Sequence, residues 1–248
     1  MSTKSIIYYT DNRPDQKIMQ TVQNQLLKSG LPIVSCTLEP IIFGKNIVLD
    51  LDPGPVTMFI QILTALKESV AEYIFFCEHD VLYHTSHFEF TPPRTDTFYY
   101  NINVWRWDYS NDKVITFNHF RSVSGLCVSK NKAIDHYEKR LSLIYKNGWD
   151  KIAGRNPKWA REIGYEPGKP KKNGGFTDDS IEEWVSEYPN IDIRHQKTMT
   201  PIKMTLESFR HQPTGWKEST IDKLPGWDIS SFNSSMQLSL NNLEPKTP

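Results

Sequence analysis

The sequence predicts an α/β fold in which a mostly parallel, Rossmann-like sheet is flanked by helices. Three observations carry that expectation. The first third of the chain alternates short β-rich apolar runs with stretches of helical periodicity, the pattern of a doubly wound sheet. Tyr73-Ile74-Phe75-Phe76-Cys77 is a continuous apolar and aromatic run, as expected of a strand buried on both faces of such a sheet. Polar groups follow predicted strands at Thr10-Asp11-Asn12, at Glu78-His79-Asp80 and at His195, where open α/β sheets bind their ligands.

Taken in order, Ser5 to Tyr9 reads as the first strand, and Ile18, Met19, Val22 and Leu26 follow at helical spacing until Ser29-Gly30. Pro32 to Leu38 and Ile47-Val48-Leu49 read as strands, with a turn at Pro53-Gly54-Pro55. Val56, Phe59, Ile60, Leu63 and Leu66 mark a second amphipathic helix before the Tyr73 strand. Beyond Asp80, Thr97 to Trp107 and Val114 to Phe120 read as strands joined by a turn at Ser110-Asn111-Asp112. Ser122 to Ser129 reads as another strand, and Ala133, Ile134, Tyr137, Leu141 and Ile144 as a helix. Gly148 to Phe176 is a long loop rich in Gly, Pro and Lys, a kind of segment that is uncommon in compact domains and often functional. Asp178-Asp179 is expected to start a helix over Ser180 to Ser186, Ile191 to His195 to be the last strand, and Pro201 to Pro248 to be a tail.

The 248 residues suffice for one large α/β domain or two small ones. Lys and Arg together number 29, as do Asp and Glu, so no overall charge argues for nucleic acid or membrane. Cys36, Cys77 and Cys127 fall in predicted strands without CxxC spacing. They read as small buried hydrophobes, which suits a reducing compartment. The chain enters a strand without a signal-peptide apolar region, and no apolar run is long enough to span a bilayer. A cytoplasmic location, in a bacterial or phage-infected host cell, is the expectation.

Glu78 and Asp80 lie two residues apart, so in an extended segment both side chains point the same way. Two hard oxygen donors on one side can hold Mg²⁺ or Mn²⁺ against phosphates; such a pair also solvates a loop or caps a helix. His195, at a strand end, is either a further metal ligand or a structural histidine. Asp178 and Asp179 suit a general base, and equally the dipole of a helix start. Trp105 and Trp107 share a predicted strand face and either stack on a sugar or base or pack in the core. Arg155, Lys158, Lys171 and Lys172, interleaved with Trp149, Trp159 and Tyr165, suit an anionic acceptor, a lid over phosphates or a solvated loop.

With these motifs located, residues 5 to 200 resemble a GT-A-fold glycosyltransferase, and also the phage-type group that decorates hydroxymethylated DNA bases. The resemblance implies a GT-A-like catalytic domain over 1–200, with a nucleotide-binding half (1–84) and an acceptor half (85–200), followed by a C-terminal extension (201–248). It implies transfer of a glucose-like sugar from a UDP-sugar to an acceptor hydroxyl, on hydroxymethylated DNA or a glycan, with inversion. Thr10, Asp11, Asn12, Lys45, Glu78 and His79 would meet the nucleotide sugar. Asp80, Glu78 and His195 would hold Mn²⁺ or Mg²⁺, and Asp179 or Asp178 would be the base. Trp105, Trp107, Arg155, Lys158, Lys171 and Lys172 would meet the acceptor. The motif departs from the family's D-x-D pattern in having Glu78, which reaches one methylene further. The alternatives left open are a metal-dependent nuclease and a non-catalytic sugar-binding module.

Overall fold

A computed structural model describes residues 2–147, 166–168, 180–198 and 201–228. The elements, in chain order, are β1 (Lys4–Thr10), α1 (Gln16–Leu27), β2 (Ile33–Thr37), β3 (Lys45–Val48), α2 (Pro55–Glu68), β4 (Tyr73–Glu78) and β5 (Val81–Leu82). There follow β6 (Thr97–Asn101), β7 (Val104–Asp108), β8 (Lys113–Thr116), β9 (Leu126–Ser129), α3 (Lys130–Asn147), β10 (Ser180–Trp184), β11 (Asn190–Arg194) and β12 (Lys217–Thr220).

The strands form a seven-stranded sheet, ordered β10-β6-β9-β4-β1-β2-β3, and a five-stranded sheet, ordered β12-β8-β7-β11-β5. In the larger sheet β1, β2, β3 and β4 are parallel to their neighbours among themselves, as is β10 to β6, and β9 alone runs antiparallel to both of its neighbours. The alternation of side chains along β1 and β4 divides the core in two. Ile6, Tyr8, Phe75 and Cys77 face α1 and the smaller sheet. Ile7, Tyr9, Ile74 and Phe76 face α2 and α3. Both faces are covered, which is why these strands read as unbroken apolar runs.

The helices begin where local chemistry dictates. The Asp15 carboxylate accepts from the Lys17 amide and caps α1. Pro55 opens α2, where its missing N–H costs nothing. The three cysteines are buried free thiols, and burial pushes the Cys36 thiol up to about 12.

Three expectations are corrected. Ser180–Trp184 is an edge strand, β10, parallel to β6, and not a helix. Its residues alternate: Ile181 packs against the α2/α3 core and Trp184 against the opposite one. The expected strand from Thr97 to Trp107 breaks at Ile102-Asn103 into β6 and β7, which belong to different sheets. Asn side chains take over the backbone bonding there. The Asn101 carbonyl accepts from the Asn103 and Ser186 amides, and Asn103 Nδ2 donates to the Ser186 carbonyl. Finally, the expected tail contains β12, antiparallel to β8 and held by a Lys113–Glu218 ion pair of 3.0 Å.

A buried polar knot ties the sheets together at this break. His87 is fully buried, and its Nδ1 accepts from the side-chain amides of Asn101 (2.9 Å) and Asn190 (3.1 Å). The His87 ring stacks on Trp184 at 5.2 Å.

Candidate functional site

In the larger sheet the chain runs from β1 outward through β2 and β3 and then returns to place β4 on the other side of β1. At such a reversal the loops leaving the two central strands diverge and open a crevice. A cavity of about 540 Å³ lies there, lined by Thr10, Asp11, Glu78, His79 and Asp80 from the ends of β1 and β4. Arg106, Asp192 and Arg194 from the smaller sheet also line it.

The turn between β4 and β5 carries the chemistry. The Ile193 amide donates to the Asp80 carbonyl at 2.8 Å, which fastens the turn to β11. The residue after β11, His195, is thereby brought over Asp80, with Nε2 3.6 Å from Oδ2. His79 Nε2 stands 3.9 Å from the same oxygen. One donor atom from each of His79, Asp80 and His195 lies within 4.8 Å of the others, so the three could hold a metal ion. The residues fit that task. His79 Nδ1 and His195 Nε2 are buried without a hydrogen-bond partner among the described residues, and an orphaned buried nitrogen is costly unless something unseen satisfies it. Burial acts to raise the Asp80 carboxyl, but its polar interactions with His79, His195 and Arg194 hold it below its ordinary value.

Glu78 does not join this group, and His79, expected to meet the nucleotide sugar, does. Glu78 ends β4 beside Tyr9, whose hydroxyl donates to Glu78 Oε1 at 2.8 Å. Burial, reinforced by the Asp80 charge, pushes the Glu78 carboxyl up to about 8. The strand stops at Glu78, so the extended geometry that would aim Glu78 and Asp80 the same way does not continue through the turn.

The remaining expectations divide. Thr10 and Asp11 line the cavity, and Asp11 is paired with Arg13. Asn12, at a left-handed φ of 60°, turns away: its Oδ1 accepts from the Leu38 and Glu39 amides, which clamps the loop after β1 to the loop after β2. Lys45 starts β3 and pairs with Glu68, away from the cavity lining. Trp107 is buried in the core with its Nε1 donating to the Asn111 carbonyl, and Trp105 packs against the same core. The face shared by the two tryptophans is thus the packed one, and Arg106 between them faces the cavity. Asp178, Asp179, Arg155, Lys158, Lys171 and Lys172 lie outside the described residues.

Two features were missed. Arg106 Nε donates to Asp192 Oδ2 at 3.1 Å, and Arg194 reaches Asp192 Oδ1 at 3.4 Å, so two guanidiniums share one largely buried carboxylate beside Asp80. Alternation in Trp105-Arg106-Trp107 and Ile191-Asp192-Ile193-Arg194 was the available signal. Gln61, buried on α2, donates to the carbonyls of Thr10 and Cys36 and steadies the ends of β1 and β2. No signal in the sequence marks it out.

No family model matches the chain, and no curated protein does. Two of the solved structures to which it is similar are glycosyltransferases. One is a glycosyltransferase involved in the glycosylation of the major capsid of PBCV-1, at TM-score 0.43 and 8% identity, covering 74% of this chain and 82% of that one. The other is the apo-form glycosyltransferase GlyE of Streptococcus pneumoniae TIGR4, at TM-score 0.34 and 13% identity, covering 60% of this chain and 40% of that one. Both likenesses are distant.

Proposed function

We propose that this chain is a metal-dependent glycosyltransferase that moves a sugar from a nucleoside-diphosphate donor, a UDP-sugar, to an acceptor hydroxyl. The observation that carries the reading is the His79, Asp80 and His195 set where β4 ends beside β11, next to a cavity that Arg106 and Arg194 also line. A diphosphate needs both features: a bound cation and fixed positive side chains within reach. A divalent ion held by the three residues would neutralise charge on the leaving diphosphate, and the imidazoles suit Mn²⁺ better than Mg²⁺.

The chain's own groups do the rest. Arg106 and Arg194, held by Asp192, are positioned before any ligand arrives and orient the phosphates. Lys197 and Lys203 add positive charge to the same lining, and Lys197 Nζ donates to the Arg13 carbonyl at 2.8 Å. Thr10 and Asp11 offer oxygens to ribose hydroxyls. A base on the acceptor side gives attack opposite the leaving diphosphate, hence inversion. A two-metal nuclease is disfavoured, because the described residues form a single three-residue group with one carboxylate.

The test is incubation with a panel of nucleoside-diphosphate sugars and Mn²⁺, with water, hydroxymethylated DNA or glycans as acceptors. Release of nucleoside diphosphate is expected for at least one donor. No release from any donor, or nicking of plasmid DNA with the metal alone, rejects the reading. Proton NMR of the product's anomeric centre decides inversion.

A further inference from the structure

We propose that His119 is the general base of this transfer, oriented by Glu183; the inference rests on the glycosyltransferase reading above. His119 lies in the loop after β8 and lines the same cavity as Asp80. It adopts a left-handed φ of 55°, a conformation that costs a residue with a Cβ and so persists only where surrounding structure enforces it. Two backbone bonds enforce it: the Asn118 amide donates to the Thr214 carbonyl at 2.9 Å, and the Arg121 amide to the His119 carbonyl at 2.8 Å.

The ring is also oriented. His119 Nδ1 lies 2.9 and 2.8 Å from the two oxygens of Glu183. A carboxylate only accepts hydrogen bonds, so Nδ1 carries a proton, and Nε2 is the ring nitrogen left to accept one from a hydroxyl. Glu183 is fixed in its turn, by its place in β10 and by the Arg121 guanidinium at 2.5 Å. Burial opposes ionisation of Glu183, but its bonds to His119 and Arg121 outweigh this and hold its carboxyl below the ordinary value. A nucleophile's proton acceptor oriented by a third group is the arrangement that hydroxyl activation requires.

The step balances. The acceptor oxygen attacks the anomeric carbon and forms the new C–O bond. The bond from that carbon to the diphosphate oxygen breaks, and its electron pair leaves with the diphosphate. The acceptor's proton passes to His119 Nε2, and the resulting imidazolium is stabilised by Glu183 before it returns the proton to water.

The alternative is that His119, Glu183 and Arg121 merely brace β10 against the loop. His119→Asn separates the two, because Asn tolerates a left-handed φ and keeps an N–H donor for Glu183 while offering no base. The assay is release of nucleoside diphosphate from the donor panel with water as acceptor, so the natural acceptor need not be known. His119→Asn is expected to lower kcat by about a hundredfold or more, with donor KM within about twofold. In His119→Ala, added imidazole is expected to restore part of the rate, and in Asp80→Asn it is expected to restore none. A His119→Asn rate close to wild type, or a loss in His119→Ala that imidazole does not relieve although the protein is folded and binds Mn²⁺–UDP, overturns the assignment. Wild-type protein that releases no nucleoside diphosphate from any donor rejects the glycosyltransferase reading and this inference together.

Discussion

Nε2 of His195 stands 3.6 Å from Oδ2 of Asp80, although one residue follows β11 in the smaller sheet and the other follows β4 in the larger. The candidate metal position therefore depends on the antiparallel pairing of β5 with β11, which sets Asp80 beside Ile193 and His195. Asp80→Asn and His195→Gln are predicted to weaken Mn²⁺ binding by at least about tenfold, and Glu78→Gln by less than about threefold. Isothermal titration of the folded variants checks this. An equal loss in Glu78→Gln would return that residue to the ligand set.

Asp192 answers both Arg106 and Arg194. Asp192→Asn is predicted to destabilise the protein by roughly 3–5 kcal/mol, since it leaves largely buried guanidiniums without that carboxylate. Adding Arg106→Met to the same chain should recover part of the loss, because the pair is coupled. Urea unfolding of the single and double variants measures both terms. A loss below about 1 kcal/mol would show that the network is dispensable.

Stability should fall in acid through His87. Burial pushes its imidazole down to about 3, whereas in the unfolded chain it titrates near about 6.5. Between those values the unfolded state binds a proton that the native state refuses. The contribution is therefore complete above the unfolded value and is lost as pH drops toward the folded one. From pH 7 to 4.5 this amounts to about 2–3 kcal/mol. Urea unfolding at both pH values should show a smaller acid loss in His87→Gln than in wild type. Equal losses would assign the effect to other groups.

Gly44 has φ of 60°, and a Cβ there would fall on the Ile33 carbonyl. Gly44→Ala is predicted to cost at least about 1–3 kcal/mol, from strain and from displacement of the β2–β3 pairing. A thermal midpoint unchanged from wild type would contradict it.

Much of the larger sheet could be read in advance because burial on both faces leaves a simple mark. Ile6 to Tyr9 and Ile74 to Cys77 are apolar at every position, whichever way each side chain points. β10 was misread because Asp178-Asp179-Ser180 looks like a helix start, while its strand identity comes from pairing with distant β6. Within the site, Asp80 and His195 were legible as polar residues after apolar strands. The exchange of Glu78 for His79 was not, because it depends on the strand ending one residue earlier than extended spacing assumes. The meeting of Arg106 with Asp192 depends on the register of β7 against β11, which no local pattern encodes. His119 was not singled out, since it fell within the expected Val114 to Phe120 strand, which ends at Thr116, and its partner Glu183 fell within an expected helix.

The chain passes between the two sheets at β4–β5, β5–β6, β6–β7, β8–β9 and β10–β11. Neither layer can be excised. A fragment ending near residue 84 would lack β9 and leave the flank of β4 bare, an open template for association with other copies. Heating the whole chain should accordingly melt both layers in one calorimetric event.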